Sequence, residues 1–231
     1  MNGTLRLVRS VPDAFAELVA AGIAEAVGSS YALFLSGGGT AVECYQALAA
    51  RSDTLWGGAD IFLGDERCVP LDDPDSNHRM IKETLLDVVG PVHSDHPMYR
   101  SGSPKEAATA YQDLVAALPR FDLVHLGLGP DGHCASLFPG STALDDQDPA
   151  HLVVANRDPI GVNPHDRITL TLAGIAQAER TIFTVAGASK RDALARIRTG
   201  EDLPAGRVTG ADVIWLVDAE ALGDLDPDQV G

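Results

Sequence analysis

Three stretches of this 231-residue chain combine glycines with reactive or ligand-binding side chains: Ser36-Gly37-Gly38-Gly39-Thr40, Gly64-Asp65-Glu66-Arg67 and Gly127-Leu128-Gly129-Pro130-Asp131-Gly132-His133. In the first, the glycines let backbone N–H groups approach an anion, and a following helix N-terminus adds favourable partial charge. The plain alternative is a tight strand-to-helix turn, but three consecutive glycines exceed what a turn needs. The loop Ser36–Thr40 therefore reads as a phosphate-binding loop. No Lys-Ser/Thr follows it, so a nucleoside triphosphate is not implied.

The third stretch spells GxGxxG after a strand pattern. A dinucleotide fingerprint should open a long helix, whereas here Pro139-Gly140 follows within a few residues. The segment reads instead as a turn at Pro130-Asp131-Gly132 that presents His133, with Asp131 beside it. A lone histidine is usually structural, but an imidazole on a glycine-rich strand-end loop is well suited to accepting a proton at neutral pH.

Gly64-Asp65-Glu66-Arg67 sets three charged residues after a strand, where a solvated loop is the competing reading. Arg167 opens a strand pattern, and Lys190 follows Ser189 at a helix start. A lysine there opposes the helix dipole, which a bound anion would resolve. Cys134, next to His133, reads as a buried inert thiol rather than a nucleophile. No His, Cys and carboxylate spacing points to a metal site, although weak cation contact at Asp72, Asp73 and Asp75 stays open.

The elements that must position these residues alternate between short apolar runs and helical periodicity. Strands are expected at Leu5–Val8 (an edge), Tyr31–Leu35, Asp60–Leu63, Phe121–Leu126, Leu152–Ala155, Arg167–Leu172, Thr181–Val185 and Asp212–Val217. Ser10 caps a helix whose face carries Phe15, Leu18, Val19, Gly22, Ile23, Ala26 and Val27. Further helices run over Ala41–Ala50, from near Asn77 (burying Ile81, Leu85, Val88 and Val89), from Ser103-Pro104 (burying Tyr111, Leu114, Val115 and Leu118) and after Ser189 (burying Leu194 and Ile197). Ser103 and Glu106 make a capping box. The tail after Asp218 reads as weakly ordered. Such alternation implies an α/β fold, a mostly parallel Rossmann-like sheet flanked by helices on both faces. Its ligands should bind beyond the carboxyl ends of the strands. Residues 1–231 read as one domain, with no repeat or linker.

Acidic residues outnumber basic ones, 33 to 17, for a net charge of −16. That sign repels nucleic acid and anionic lipid, so a phosphate must be held by a local pocket. Three scattered cysteines without a CxxC pair suit free thiols in a reducing compartment. With no signal-peptide pattern and no apolar run of membrane length, the expectation is a cytoplasmic protein.

Taken together, Leu35–Thr40, Gly64–Asn77 (GDERCVPLDDPDSN), Gly127–Gly140 (GLGPDGHCASLFPG), Arg167–Leu172 and Gly187–Leu194 resemble the 6-phosphogluconolactonase family. That family shares its fold with glucosamine-6-phosphate deaminases and related sugar-phosphate isomerases. The deaminases typically continue after DGH with Asn-Glu-Pro, absent here; Cys134 stands where lactonases often carry Thr. The resemblance implies cofactor-free hydrolysis of the δ-lactone of 6-phosphogluconate, the second step of the oxidative pentose phosphate route. It implies a phosphate pocket of Gly38, Gly39, Thr40, Arg167 and Lys190. His133 would act on the attacking water with Asp131 to orient it, and Asp65 and Arg67 would lie near the sugar ring and carbonyl. The rivals are an aldose-ketose isomerase or deaminase with Asp65 as base, and a sugar-phosphate sensor. Asp131, His133 and Arg67 together, with no DNA-binding segment, argue against the sensor. The expected form is a monomer or small homo-oligomer.

Overall fold

The computed structural model describes residues 1–26 and 29–224. Val27, expected on the first helix face, and the tail beyond residue 224 lie outside them. The strands are β1 (Thr4–Leu7), β2 (Tyr31–Leu35), β3 (Ala59–Leu63), β4 (Asp65–Arg67), β5 (Ser94–Asp95), β6 (Phe121–Gly127), β7 (Val153–Asn156), β8 (Arg167–Leu170), β9 (Ala178–Val185) and β10 (Val213–Val217). The helices are α1 (Val11–Glu25), α2 (Gly39–Ala49), α3 (Asn77–Ile81), α4 (Asp87–Val89), α5 (Pro104–Ala116), α6 (Leu172–Ile175), α7 (Arg191–Arg198) and α8 (Ala219–Leu222). Among the described residues no helix is long and apolar enough to cross a membrane.

Seven strands form one sheet in the order β1-β10-β9-β6-β2-β3-β5, every pair parallel. Helices flank it, as crossovers between parallel strands require. β2 and β3 are buried at every position, the mark of strands covered on both faces. The chain runs from β2 outward to β3 and β5, then returns to place β6 on the other side of β2. The strand order thus reverses between β2 and β6, and a crevice opens beyond their carboxyl ends.

Three strands that the hydrophobic pattern does not assign to a second layer leave the main sheet. β4, β8 and β7 form a small antiparallel sheet with Arg67 opposite Arg167. Gly64 is the junction: its N–H donates to Leu35 O at 2.8 Å, and its carbonyl accepts from Leu170 N at 2.8 Å. Gly64-Asp65-Glu66-Arg67 is therefore not a solvated loop, since Asp65 and Glu66 are 6% and 1% exposed.

Two expected core residues face water. Val88 is 62% exposed because a π turn over Lys82–Leu86 joins α3 to α4; its extra residue per turn rotates the later face, keeping Leu85 buried. Leu114 is 37% exposed. α5 is rolled so that Gln112 reaches inward, its Oε1 accepting from Leu152 N at 2.7 Å and Val153 N at 2.9 Å. β9 starts at Ala178, earlier than expected, and residues after Asp218 form α8, with Asp218 accepting from Ala221 N as its cap. The Ser10 cap on α1 and the Ser103–Glu106 capping box on α5 are present.

The core also encloses one imidazole. His125, on β6, is fully buried between Tyr45 and Thr184, and burial pushes its pKa down to about 3. Between about pH 6.5, the ordinary imidazole value, and pH 3 the unfolded chain takes up a proton that the folded chain refuses. The neutral form therefore supports the fold fully above that window, and the support is lost on acidification at about 1.4 kcal/mol per pH unit. Urea unfolding at pH 7 and pH 5 should show His125→Gln losing about 2 kcal/mol less than the parent over this interval. Equal losses in the two proteins would contradict the neutral buried assignment.

Candidate active site

The cleft opens at the β2–β6 switch point, with a volume of about 190 Å³. One wall is the segment from Ser36 to Ala41, which leaves β2 and opens α2. Gly38 has φ +106°, a conformation side-chain-bearing residues rarely adopt. No atom lies within 4 Å of where a Cβ on Gly38 or Gly39 would stand, so their backbone is open to a ligand. The N–H groups of the first turn of α2 lack intrahelical partners, and they present the partial positive charge that suits a phosphate.

The opposite wall comes from the loop after β6. Gly129 N donates to His133 O at 2.8 Å and Gly132 N to Gly129 O at 3.0 Å, folding the turn tightly. A Cβ at Gly129 would come 2.2 Å from His133 Nδ1, so only glycine there leaves the imidazole in place. His133 Nδ1–H donates to Asp131 Oδ1 at 2.6 Å, because a carboxylate can only accept. That fixes the tautomer and leaves Nε2 as a proton acceptor. Burial raises the Asp131 pKa, but the hydrogen bond and charge of His133 outweigh it and hold the carboxyl below its ordinary value. His133 lines the cleft; Asp131 stands behind it.

β4 supplies the third wall with Asp65 and Arg67. Asp65 accepts from Ser136 Oγ at 2.6 Å on Oδ2 and from Asn77 Nδ2 at 3.3 Å on Oδ1. Arg67 donates from Nη1 to Asp75 O at 2.5 Å, while its buried Nε has no hydrogen-bond partner. Lys190 also lines the cleft, half-buried, with no hydrogen bond or ion pair to the described residues. Burial lowers its pKa and the charge of Asp131 partly restores it. It ends a short turn ahead of α7, and Ser189 is not part of the cleft wall.

Arg167 is placed differently from the expectation. It is 5% exposed and outside the cleft wall, beside Arg67 across the β4–β8 pair. Its Nη2 donates to Pro164 O at 3.0 Å, its guanidinium lies 6.0 Å from the Phe138 ring centroid, and its Nε is unpartnered. The loops thus bring together Gly38, Gly39, Thr40, Asp65, Arg67, His133 and Lys190, with Asp131 and Arg167 one layer back.

Sequence reasoning missed Asn77, Ser136 and Glu66. Asn77 reads as a helix start, yet its side chain packs on Gly37, where a Cβ would lie 2.0 Å from Asn77 Oδ1. Ser136 follows Ala135, a non-glycine residue at φ +47° on the cleft wall; nothing in the local pattern signals that strain. Cys134 is 1% exposed, and burial together with the Asp65 charge pushes its thiol pKa up, as an inert thiol requires. Among the described residues no group of three or more His, Cys, Asp or Glu side chains is arranged to hold a metal ion.

A glycine loop with open backbone and an imidazole held by Asp131 share one cleft at the switch point of a parallel sheet, and this layout defines the class: an α/β enzyme with a small-molecule cleft. The family model for glucosamine-6-phosphate isomerases/6-phosphogluconolactonase matches residues 6–215, and the chain belongs to that family. It is 39% identical to a 6-phosphogluconolactonase of Synechocystis, with 84% of each chain covered. It is 35% identical to a 6-phosphogluconolactonase of Mycobacterium tuberculosis, over 93% of this chain and 96% of that one. Among solved structures, 6-phosphogluconolactonase from Thermotoga maritima matches with a TM-score of 0.83 at 30% identity, over 94% of this chain and 100% of that one. A monomeric glucosamine-6-phosphate deaminase shares the fold at 22% identity and a TM-score of 0.79.

An unpartnered ammonium on the cleft wall is expected to bind the substrate's phosphate in ground and transition states alike. Lys190→Ala should cost roughly 1.5–3 kcal/mol, read as a rise in KM of about 10- to 100-fold with kcat little changed. An unchanged KM for the phosphorylated substrate would remove Lys190 from the phosphate site.

Proposed function

We propose that this cleft hydrolyses 6-phospho-D-glucono-1,5-lactone to 6-phospho-D-gluconate by general-base catalysis with His133, without covalent attachment of substrate to the chain. Opening this lactone, in the oxidative pentose phosphate pathway, is the activity that names the relatives at 35–39% identity. The observation that carries the mechanism is the 2.6 Å hydrogen bond from His133 Nδ1 to Asp131, on the same cleft as the glycine cradle.

The phosphate rests on the backbone of Gly38, Gly39 and Thr40 and on Lys190. Arg167, one layer back, adds positive potential through its neighbour Arg67 rather than by contact. His133 Nε2 takes a proton from water as the water oxygen adds to the lactone carbonyl carbon. The carbonyl π pair moves onto oxygen, and Arg67 stabilises the resulting oxyanion. The oxyanion then collapses, the bond from carbon to the ring oxygen breaks, and the ring oxygen leaves with the proton returned by His133. Asp131, ionised, holds the imidazole in the productive tautomer and stabilises its cationic form. Asp65, pinned by Ser136 and Asn77, accepts hydrogen bonds from the sugar hydroxyls. The same reading takes residues 1–231 as one catalytic domain, a monomer or small homo-oligomer. It places the enzyme in a reducing cytoplasm, which its three free cysteines suit.

General-base assistance is typically worth about 10²–10⁴-fold, so His133→Ala should lower kcat by about that factor while KM stays near its parent value. A folded, thermally stable His133→Ala enzyme with kcat within about threefold of the parent would end the general-base assignment.

A further inference from the structure

We infer that Tyr45 and His125 are positioning residues for the phosphate-binding loop, holding Ser36 from beneath so that the three glycines after it are preorganised for phosphate. The inference rests on reading Gly38–Thr40 as the phosphate cradle.

Ser36, the residue between β2 and the glycines, is 3% exposed, and each of its polar groups ends on one of these two side chains or its backbone. Its N–H donates to Tyr45 Oη at 2.9 Å, and its carbonyl accepts from Tyr45 Oη at 2.7 Å. Its hydroxyl donates to the His125 carbonyl at 2.6 Å. Tyr45 belongs to α2, the helix that the glycines open, so the loop is closed into a ring by a side chain of its own helix.

The proton arrangement follows from counting. The single Tyr45 hydroxyl proton goes to the Ser36 carbonyl, so the 2.9 Å contact with His125 is donated by His125 Nδ1. His125 Nε2 is then the acceptor for Thr184 Oγ1 at 2.8 Å. Thr184 lies on the cleft wall. A chain of hydrogen bonds therefore runs from the cleft at Thr184, through a neutral imidazole and a phenol, to Ser36, just ahead of the cradle.

A purely structural role accounts for this poorly. Both rings are completely buried and Phe15 packs 4.3 Å from the imidazole, a place where apolar side chains would fill the space without any desolvation cost. Gly37, Gly38 and Gly39 have no side chains with which to hold the loop, and glycine carries the largest conformational freedom of any residue. Order imposed from below lowers the cost of binding by arranging the N–H groups before the ligand arrives. Removing the clamp should accordingly weaken phosphate binding and leave the chemical step at the lactone carbonyl nearly untouched.

The test is Tyr45→Phe, which keeps the ring and deletes the hydroxyl, with phosphorylated and unphosphorylated gluconolactone compared as substrates. The expected result is a rise of about tenfold in KM for the phosphorylated lactone, kcat within about threefold, and an unchanged kcat/KM for the unphosphorylated one. An unchanged KM, or equal losses on both substrates, would overturn the inference. If Tyr45→Phe does not fold, Ser36→Ala removes only the bond to His125 and should shift KM in the same selective direction; no such shift overturns the inference. Calorimetric titration with inorganic phosphate separates this claim from the functional reading. A parent protein without lactonase activity would overturn that reading, while phosphate binding weakened in Tyr45→Phe would still support the clamp and equal binding would refute it.

Discussion

Glu66 is 1% exposed, and its carboxylate accepts four hydrogen bonds: from Arg67 N at 2.7 Å, Asn77 N at 2.7 Å, Ser76 Oγ at 3.0 Å and His78 N at 2.8 Å. Burial raises its pKa and the four donors work against that rise. An anion in this position caps the first turn of α3 and ties it to β4, closing the segment from Cys68 to Asp75 into a fixed loop. Everything on that side of the cleft follows from it. Asn77 is brought under Asp65 and against Gly37, and the Asp75 carbonyl is placed to receive Arg67. A buried carboxylate with all its lone pairs engaged is rigid, and removing any donor would leave charge uncompensated in a low-dielectric interior.

The other half of the site hangs on the turn after β6. One segment carries Gly129, whose missing side chain admits the imidazole, then His133, then Ser136. Ser136 N donates to Thr169 Oγ1 at 3.1 Å, and its hydroxyl reaches Asp65, so this loop is anchored to both β8 and β4. Ala135, held at φ +47° between His133 and Ser136, is the strained link that lets both anchors be satisfied. Backbone strain at a cleft wall, maintained by buried hydrogen bonds, is how the small antiparallel sheet and the large parallel one act as one frame for His133 and Arg67.

Much of this is legible in the amino-acid sequence. Runs such as Tyr31–Leu35 and Phe121–Leu126 announce buried strands because both faces of the sheet are covered. Glycine clusters after them announce the cleft because close backbone approach has no other solution. β4 was not legible: three charged residues show no hydrophobic period, and their strand character comes from pairing with β8 far along the chain. Glu66 looked like one more surface carboxylate because its partners are mostly backbone N–H groups, which the sequence does not distinguish. Val88 was misplaced because a π turn shifts the helical period without any proline or glycine to mark it. The resemblance puts Arg167 in the phosphate pocket, whereas its burial beside Arg67, outside the cleft wall, depends on the antiparallel register, which only the fold determines.

The central claim is that water, activated by an imidazole, attacks the lactone directly. A single turnover with enzyme in excess, run in ¹⁸O-labelled water and read by mass spectrometry of product and intact protein, tests it most directly. The account predicts ¹⁸O in the carboxylate of the first product formed and no covalent adduct on the chain. An unlabelled first-turnover product, or an acyl adduct on Asp65, Asp131 or Cys134, would contradict it.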